Sequence, residues 1–241
     1  MRIILELKAV KKYNPDFNYH YKAQGFIYSM LINTKYRELH NKEKYKFFCF
    51  SNIFRAKHDN GNDWKFIVSS PDEKLIKQIG VGLKKIEEHN VDVQLGGGTF
   101  KLKSYKIFKP FDSFNVITGS PITISIGREK FEKVTGEKSE FNTVFWQPKH
   151  SIKLFVDAIE NNLKEKFKEF TKSEITSRIL EKYELKKKVS TRLMLPNGNN
   201  IPILGTMWEF QLSSKLTEKQ ANFCVECGFG ERNPMGFGFM N

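Results

Sequence analysis

The chain has 241 residues, with 40 Lys and Arg against 27 Asp and Glu, a formal net charge of +13. Hydrophobic residues at 39% and aromatics at 14% are enough to pack a core, which excludes wholesale disorder. Length allows one large domain or two of roughly 120 residues each, and the positive excess favours a polyanionic partner such as nucleic acid. Three cysteines are too few for a disulfide framework, the first residues do not read as a signal peptide, and no apolar run approaches transmembrane length, so a soluble cytoplasmic protein is expected.

Residues 2–9 predict a strand with polar residues at Glu6 and Lys8. Asn14-Pro15-Asp16 signals a turn, and Asn18 is placed to cap the helix after it. In that helix Ala23, Phe26, Ile27, Met30 and Leu31 form one apolar stripe, and Tyr28 lies well off it, toward a flank. A charged segment over 33–46 has room for a short helix. The aromatic run 47–54 and residues 64–70 predict two strands joined as a hairpin across Gly61-Asn62, and Pro71-Asp72 opens a second helix reaching about Glu88. Strands over 91–95 and 99–103 flank Gly96-Gly97-Gly98. The order β-α-β-β-α-β is that of a ferredoxin-like domain.

Pro110–Phe114 marks a boundary, giving domains at 1–112 and 113–241. Residues 116–126 predict a long strand, or a bent pair, interrupted at Gly119-Ser120-Pro121. The polar stretch 127–140 reads as a loop or hairpin insertion. Phe155, Ile159, Leu163 and Phe167 recur every four residues and make 151–170 an amphipathic helix. Strands around 174–190 and 200–212, a short helix at about 217–226 and a last strand at 237–240 repeat the first half's order. The expected fold is α+β, two tandem ferredoxin-like domains. On the first of these strands Lys182, Lys186, Lys187, Lys188 and Arg192 cluster, as a solvated face or as phosphate contacts.

The chain closes on Gly228-Phe-Gly230-Glu-Arg232-Asn233-Pro-Met-Gly236-Phe-Gly238. Two accounts fit this spacing. Main-chain N–H groups freed of Cβ crowding can face an anion, or the glycines can serve a tight connection into the last strand. A phosphate-binding P-loop is excluded because no Gly-Lys-Ser/Thr follows. A dinucleotide fingerprint fails at its third glycine, where Asn233 stands.

Metal and acyl-transfer chemistry have little support. The histidines at 20, 40, 58, 89 and 150 show no ligand spacing, Cys224 and Cys227 offer two ligands where structural zinc needs four, and no nucleophile elbow is present. No metal or other cofactor is expected. What remains is chemistry that side chains perform unaided on RNA, whose 2′-OH is its own nucleophile. A histidine takes or gives a proton, a lysine stabilises the charged transition state, and a tyrosine donates or relays a proton.

Gln24-Gly-Phe-Ile-Tyr28, Leu39-His40 and Lys46-Phe-Phe-Cys-Phe-Ser51, closed by the paired Gly-x-Gly motif, resemble the CRISPR repeat-processing endoribonucleases, the sixth Cas protein family. Ser120-Pro-Ile122 and the helix through Glu160-Asn-Asn-Leu163 are similar to that family's second-domain landmarks, so the resemblance spans the chain. It implies metal-independent cleavage within CRISPR repeats, leaving a 2′,3′-cyclic phosphate and a 5′-hydroxyl. It also implies roles: Tyr28 as acid or proton relay, His40 as general base (the two exchangeable), Lys46 as transition-state stabiliser. Tyr45 is a neighbour able to replace one of them. The glycine loop (Gly228, Gly230, Arg232, Asn233, Gly236, Gly238) would hold RNA backbone, with Arg232 the best single phosphate contact and Lys186, Lys187, Lys188 and Arg192 adding to it. The implied partner is CRISPR repeat RNA, single-stranded or a weak hairpin. Subunits of a CRISPR effector complex and a second copy of the chain are left open as further partners; no membrane is. A non-catalytic RNA-binding subunit of an effector complex is the alternative, and a general single-strand RNA binder a third reading.

Overall fold

Alternation along β1 (Arg2–Ala9) organises the first half. Ile3, Leu5 and Leu7 are fully buried on one face, against the helices α1 (His20–Ser29) and, later in the chain, α2 (Glu73–Glu88). The computed structural model describes residues 1–14, 19–41, 44–56, 62–110, 114–194 and 200–241, the Met194 side chain excepted. Between those helices run β2 (Cys49–Phe50), β3 (Phe54–Arg55) and β4 (Asp63–Ser69); after α2 come β5 (Val93–Leu95) and β6 (Gly98–Phe108). The sheet order is β2-β4-β1-β6-β5, every pair antiparallel, with β3 also on β4. The stretch β2-β4-β1-β6 is the strand order of a ferredoxin-like fold.

The second half contains β7 (Asn115–Ile117), β8 (Ser125–Gly127), α3 (Arg128–Thr135), β9 (Thr143–Phe145), α4 (Ile152–Thr171), β10 (Leu180–Met194), β11 (Asn200–Leu212) and α5 (Glu218–Cys227). Its sheet runs β10-β11-β7, and the last residues extend it through a Thr118–Met240 bridge and reciprocal bonds between Ile117 and Asn241 at 2.9 and 2.7 Å. A core built on Trp208, Phe155, Ile159 and Leu163 fills the space under α4. This is the second ferredoxin-like unit. None of the described helices is long and apolar enough to cross a membrane.

Several expectations need correcting. The run 47–54 is two short strands, because Phe47 takes a left-handed backbone (φ 50°) and Ser51 lends its hydroxyl to the Ile67 N–H at 2.9 Å. The segment 127–140 is mainly the helix α3, not a loop or hairpin; Phe131 anchors it and Gly136 ends it in left-handed conformation at φ 73°. Residues 116–126 are the bent pair, β7 and β8, joined across bridges at Thr118, Ile122 and Thr123. Asn18, His58, Gly61, the Pro15-Asp16 turn and the boundary at 112–113 lie outside the described residues.

The two units meet where β2 and β4 turn their second face to the carboxy-terminal segment, burying Cys49, Ile67 and Phe239 together. The Arg2 guanidinium sits 4.8 Å over the Phe239 ring and donates to the Met240 carbonyl. Asn52 Nδ2 donates to the Gly119 carbonyl at 3.3 Å, and Gln24 Nε2 to that of Pro234 at 2.9 Å. His20 is stacked on Phe237 (4.7 Å, 11°) and on Tyr19, with Nδ1 donating to the Met235 carbonyl at 2.8 Å.

Burial pushes the His20 imidazole down to about 4 from its usual 6.5. The unfolded chain therefore binds this proton more readily. The contribution of His20 is complete above pH 6.5 and is lost as pH falls through 6.5 toward 4, at most about 3 kcal/mol. Urea midpoints taken from pH 7 to pH 4 fall across that window, and His20→Phe flattens the fall; an unchanged slope in that variant refutes the assignment.

Candidate active site and RNA-binding cleft

The segment between α1 and β2 brings the chemistry to the domain seam. A short 3-10 turn, Arg37–Leu39, precedes His40, and Tyr36 ties it down through a hydroxyl bond to Asp72 Oδ2 at 2.7 Å. Asp72 also caps α2, accepting from the N–H groups of Lys74 and Leu75, so the loop is fixed to a helix end. Beyond it, left-handed Phe47 sends its ring into the second unit, against Phe170 and Phe223, while Phe48 enters the first core. Tyr45 and Lys46, just before that bend, face a cleft.

Tyr28, His40 and Lys46 come together. The Tyr28 and His40 rings meet edge to face at 5.1 Å, Lys46 Nζ lies 5.7 Å over the Tyr28 ring, and the same ammonium donates to the His40 carbonyl at 2.7 Å. Partial burial lowers the pKa of Lys46 from its ordinary value. Asn41 Nδ2 donates to Glu38 Oε2 at 3.1 Å, and a carboxylate only accepts, so the Asn41 oxygen is the atom facing His40 Nδ1 at 3.2 Å. Nδ1 then carries the imidazole hydrogen, and Nε2 is left as the proton acceptor.

Tyr28 departs from expectation in one respect. Its ring sits on the flank of α1, but its hydroxyl is sealed from solvent with no hydrogen-bond partner among the described residues, and the residue is not among those lining the cleft. Burial pushes the phenol above its ordinary range. In this conformation Tyr28 offers the other two residues a ring and not a proton.

The cleft has a volume of about 790 Å³ and runs from His40, Lys44, Tyr45 and Lys46 on one side to Lys166, Arg232 and Met235 on the other. Of the described histidines, only His40 opens on it. His20 is in the interdomain seam, His89 bonds the Lys85 carbonyl, and His150 packs against Phe131. Cys224 and Cys227 are buried, as packing requires, and no group of three or more His, Cys, Asp or Glu side chains able to hold a metal forms among the described residues.

The glycines of the loop serve close packing. The N–H groups of Phe229, Glu231, Gly236 and Gly238 all donate within the protein. At Gly238 (φ 67°) a Cβ would run into the Phe229 carbonyl, and at Gly230 (φ 69°) it would come within 2.6 Å of the Thr123 carbonyl. Gly228, Gly230, Gly236 and Gly238 are thus buried packing positions, and Asn233, 5% exposed, points inward. Arg232 alone of the predicted loop contacts is exposed, its guanidinium 5.9 Å over the Phe145 ring. The lysines of the β10 cluster do not share one face. Lys186 is paired with Glu184 and Glu209, and Lys187 alternates to the face opposite Lys188 and Arg192. Lys188 donates to Gln147 Oε1 at 2.8 Å. Sequence reasoning missed Lys166; the available signal was a lysine three residues past Leu163, on the apolar side of α4.

Comparison with known proteins bears on the family and the fold. Residues 103–241, more than half of the chain, match the family model described as CRISPR associated protein Cas6, C-terminal. The chain belongs to the Cas6 family. The curated CRISPR-associated endoribonuclease Cas6 2 of Methanocaldococcus jannaschii is 29% identical over 100% of this chain and 99% of its own length. The CRISPR-associated endoribonuclease Cas6 of Haloferax mediterranei is 25% identical over 100% of this chain and 93% of its own. A solved structure described as CRISPR associated protein Cas6 superposes with a TM-score of 0.73 at 24% identity, covering 100% of this chain and 98% of that one, and shares its tandem ferredoxin-like fold.

Replacing Tyr28 by Phe removes the orphaned hydroxyl and keeps the ring contacts, and raises stability by about 1 kcal/mol. Chemical denaturation reads this directly; a destabilised Tyr28→Phe protein shows that the hydroxyl has a partner in the folded state.

Proposed function

We propose that this Cas6-family chain is an endoribonuclease that cuts CRISPR precursor transcripts within their repeats, without a metal ion. The observation that carries the reading is the meeting of His40, Lys46 and the Tyr28 ring at the mouth of a cleft whose far wall presents Arg232. His40 Nε2 takes the proton of the 2′-OH, and the oxygen attacks the adjacent phosphorus. The bond to the 5′-oxygen breaks, leaving a 2′,3′-cyclic phosphate and, once a proton is supplied, a 5′-hydroxyl. Lys46 faces the charge that builds on the non-bridging oxygens; partial desolvation strengthens that interaction. Tyr28 carries the ring on which both residues rest, and serves as acid or relay once RNA entry uncovers its hydroxyl. Arg232 holds a phosphate of a strand lying in the cleft, with Lys44 adding charge. Rings at the cleft wall, Tyr21 and Tyr45, offer unpaired bases a stacking surface. A domain division at 112–113 is supported by two sheets of which one ends at Phe108 and the other begins at Asn115.

Cleavage of repeat RNA proceeds in EDTA, stops with a 2′-deoxy nucleotide at the scissile position, and falls by about 10²–10⁴-fold in His40→Ala. Gel analysis and end-group sequencing check all three. Intact RNA under conditions of demonstrated binding leaves the non-catalytic effector subunit as the reading. Equal affinity for repeat and scrambled RNA at matched salt leaves the general single-strand binder.

A further inference from the structure

The turn that carries Arg232 is assembled on a side chain buried beneath it. Lys166 is 4% exposed, and its Nζ donates to the carbonyl oxygens of Gly228 (3.1 Å) and Gly230 (2.7 Å) and to Asn233 Oδ1 (2.6 Å). An ammonium has three hydrogens and accepts nothing, so its bonding capacity is filled by this loop. The same contact sets the Asn233 carboxamide: with Oδ1 on the ammonium, Nδ2 donates to the Phe229 and Phe237 carbonyls at 3.0 Å each. One cation and one amide therefore tie the two Gly-x-Gly arms together.

Arg232 sits next to this tie in a left-handed backbone (φ 57°), a conformation that a residue with a Cβ keeps only where its surroundings hold it. Its carbonyl accepts from the Met235 N–H at 2.8 Å, closing the turn over the pinned Asn233. The side chain projects outward to the cleft. Lys166 also lines that cleft, but its hydrogens are all directed into the loop.

We propose that Lys166 is a positioning residue for RNA binding, holding the turn from Gly228 to Gly236 closed so that Arg232 meets a phosphate while Lys166 itself does not. The proposal rests on the cleft being the RNA site. It differs from a plain packing role in predicting that the effect of Lys166 on RNA passes through Arg232.

The test uses the full chain, with Lys166→Met, Asn233→Ala, Arg232→Ala and the Lys166→Met/Arg232→Ala pair, against repeat RNA blocked by a 2′-deoxy nucleotide at the scissile position. Hydrogen exchange over peptides spanning 228–238 accelerates in Lys166→Met and Asn233→Ala. Affinity falls about tenfold in Lys166→Met and in Arg232→Ala, and each lowers the salt slope by about 0.7, the loss of one single-strand phosphate contact. The paired variant binds no more weakly than either single one, and the saturated single-turnover rate on cleavable RNA falls less than the affinity. Wild-type exchange and affinity in Lys166→Met overturn the proposal, as does a full additional loss in the pair, or wild-type affinity in Arg232→Ala. If Lys166→Met does not fold, Asn233→Ala decides by the same two readouts. Failure of the unaltered protein to prefer repeat RNA instead overturns the cleft reading itself.

Discussion

An ammonium taken out of water must find three acceptors or give up its charge, and the carboxy-terminal half of the cleft is built on that requirement. Burial lowers the pKa of Lys166, and two main-chain carbonyls and one carboxamide oxygen compensate. The chain around these carbonyls turns through positive φ. Gly228, Gly230, Gly236 and Gly238 all have positive φ. The glycines thus let the backbone close over a buried cation, with no room for a Cβ against the Thr123 carbonyl at Gly230 or the Phe229 carbonyl at Gly238.

This arrangement also docks the two units. The segment pinned by Lys166 is the one that packs on Phe50, stacks Phe237 on His20 and takes the Gln24 amide at Pro234. α1 therefore touches the glycine loop at one end and carries Tyr28 further along. The distance between His40 and Arg232 is set by a packed seam and not by a linker, as catalysis by positioning demands. The amino-terminal unit brings an exposed imidazole to the cleft and the carboxy-terminal one an exposed guanidinium.

Much of this was legible in the sequence. Helices α1 and α4 follow from apolar periodicity, Pro71-Asp72 marks the start of α2, the repeated β-α-β-β-α-β order follows from the sequence of elements, and the resemblance points to Tyr28, His40 and Lys46. What failed did so for tertiary reasons. Phe131 is the one buried residue of α3, too little apolar periodicity to read as a helix. The β10 lysines are adjacent in sequence, but a strand alternates them between faces and a bulge after Leu185 shifts their register. Glycine spacing records that the backbone is special, without saying whether a ligand or a neighbouring carbonyl made it so. Lys166 was passed over because a lysine on an amphipathic helix ordinarily reaches the solvent.

The sealed Tyr28 hydroxyl bears on how the site works. An unpaired buried hydroxyl costs about 1–3 kcal/mol, and a phenylalanine would give the same ring contacts to His40, Lys46 and Phe48 without that cost. A packing role alone does not account for the oxygen. The proton-transfer role proposed for it requires a conformation in which the exposed His40 ring moves aside and uncovers the phenol. Under that proposal the cost is carried in the free protein and released on binding, and an RNA that fits poorly leaves the hydroxyl buried and its proton out of reach.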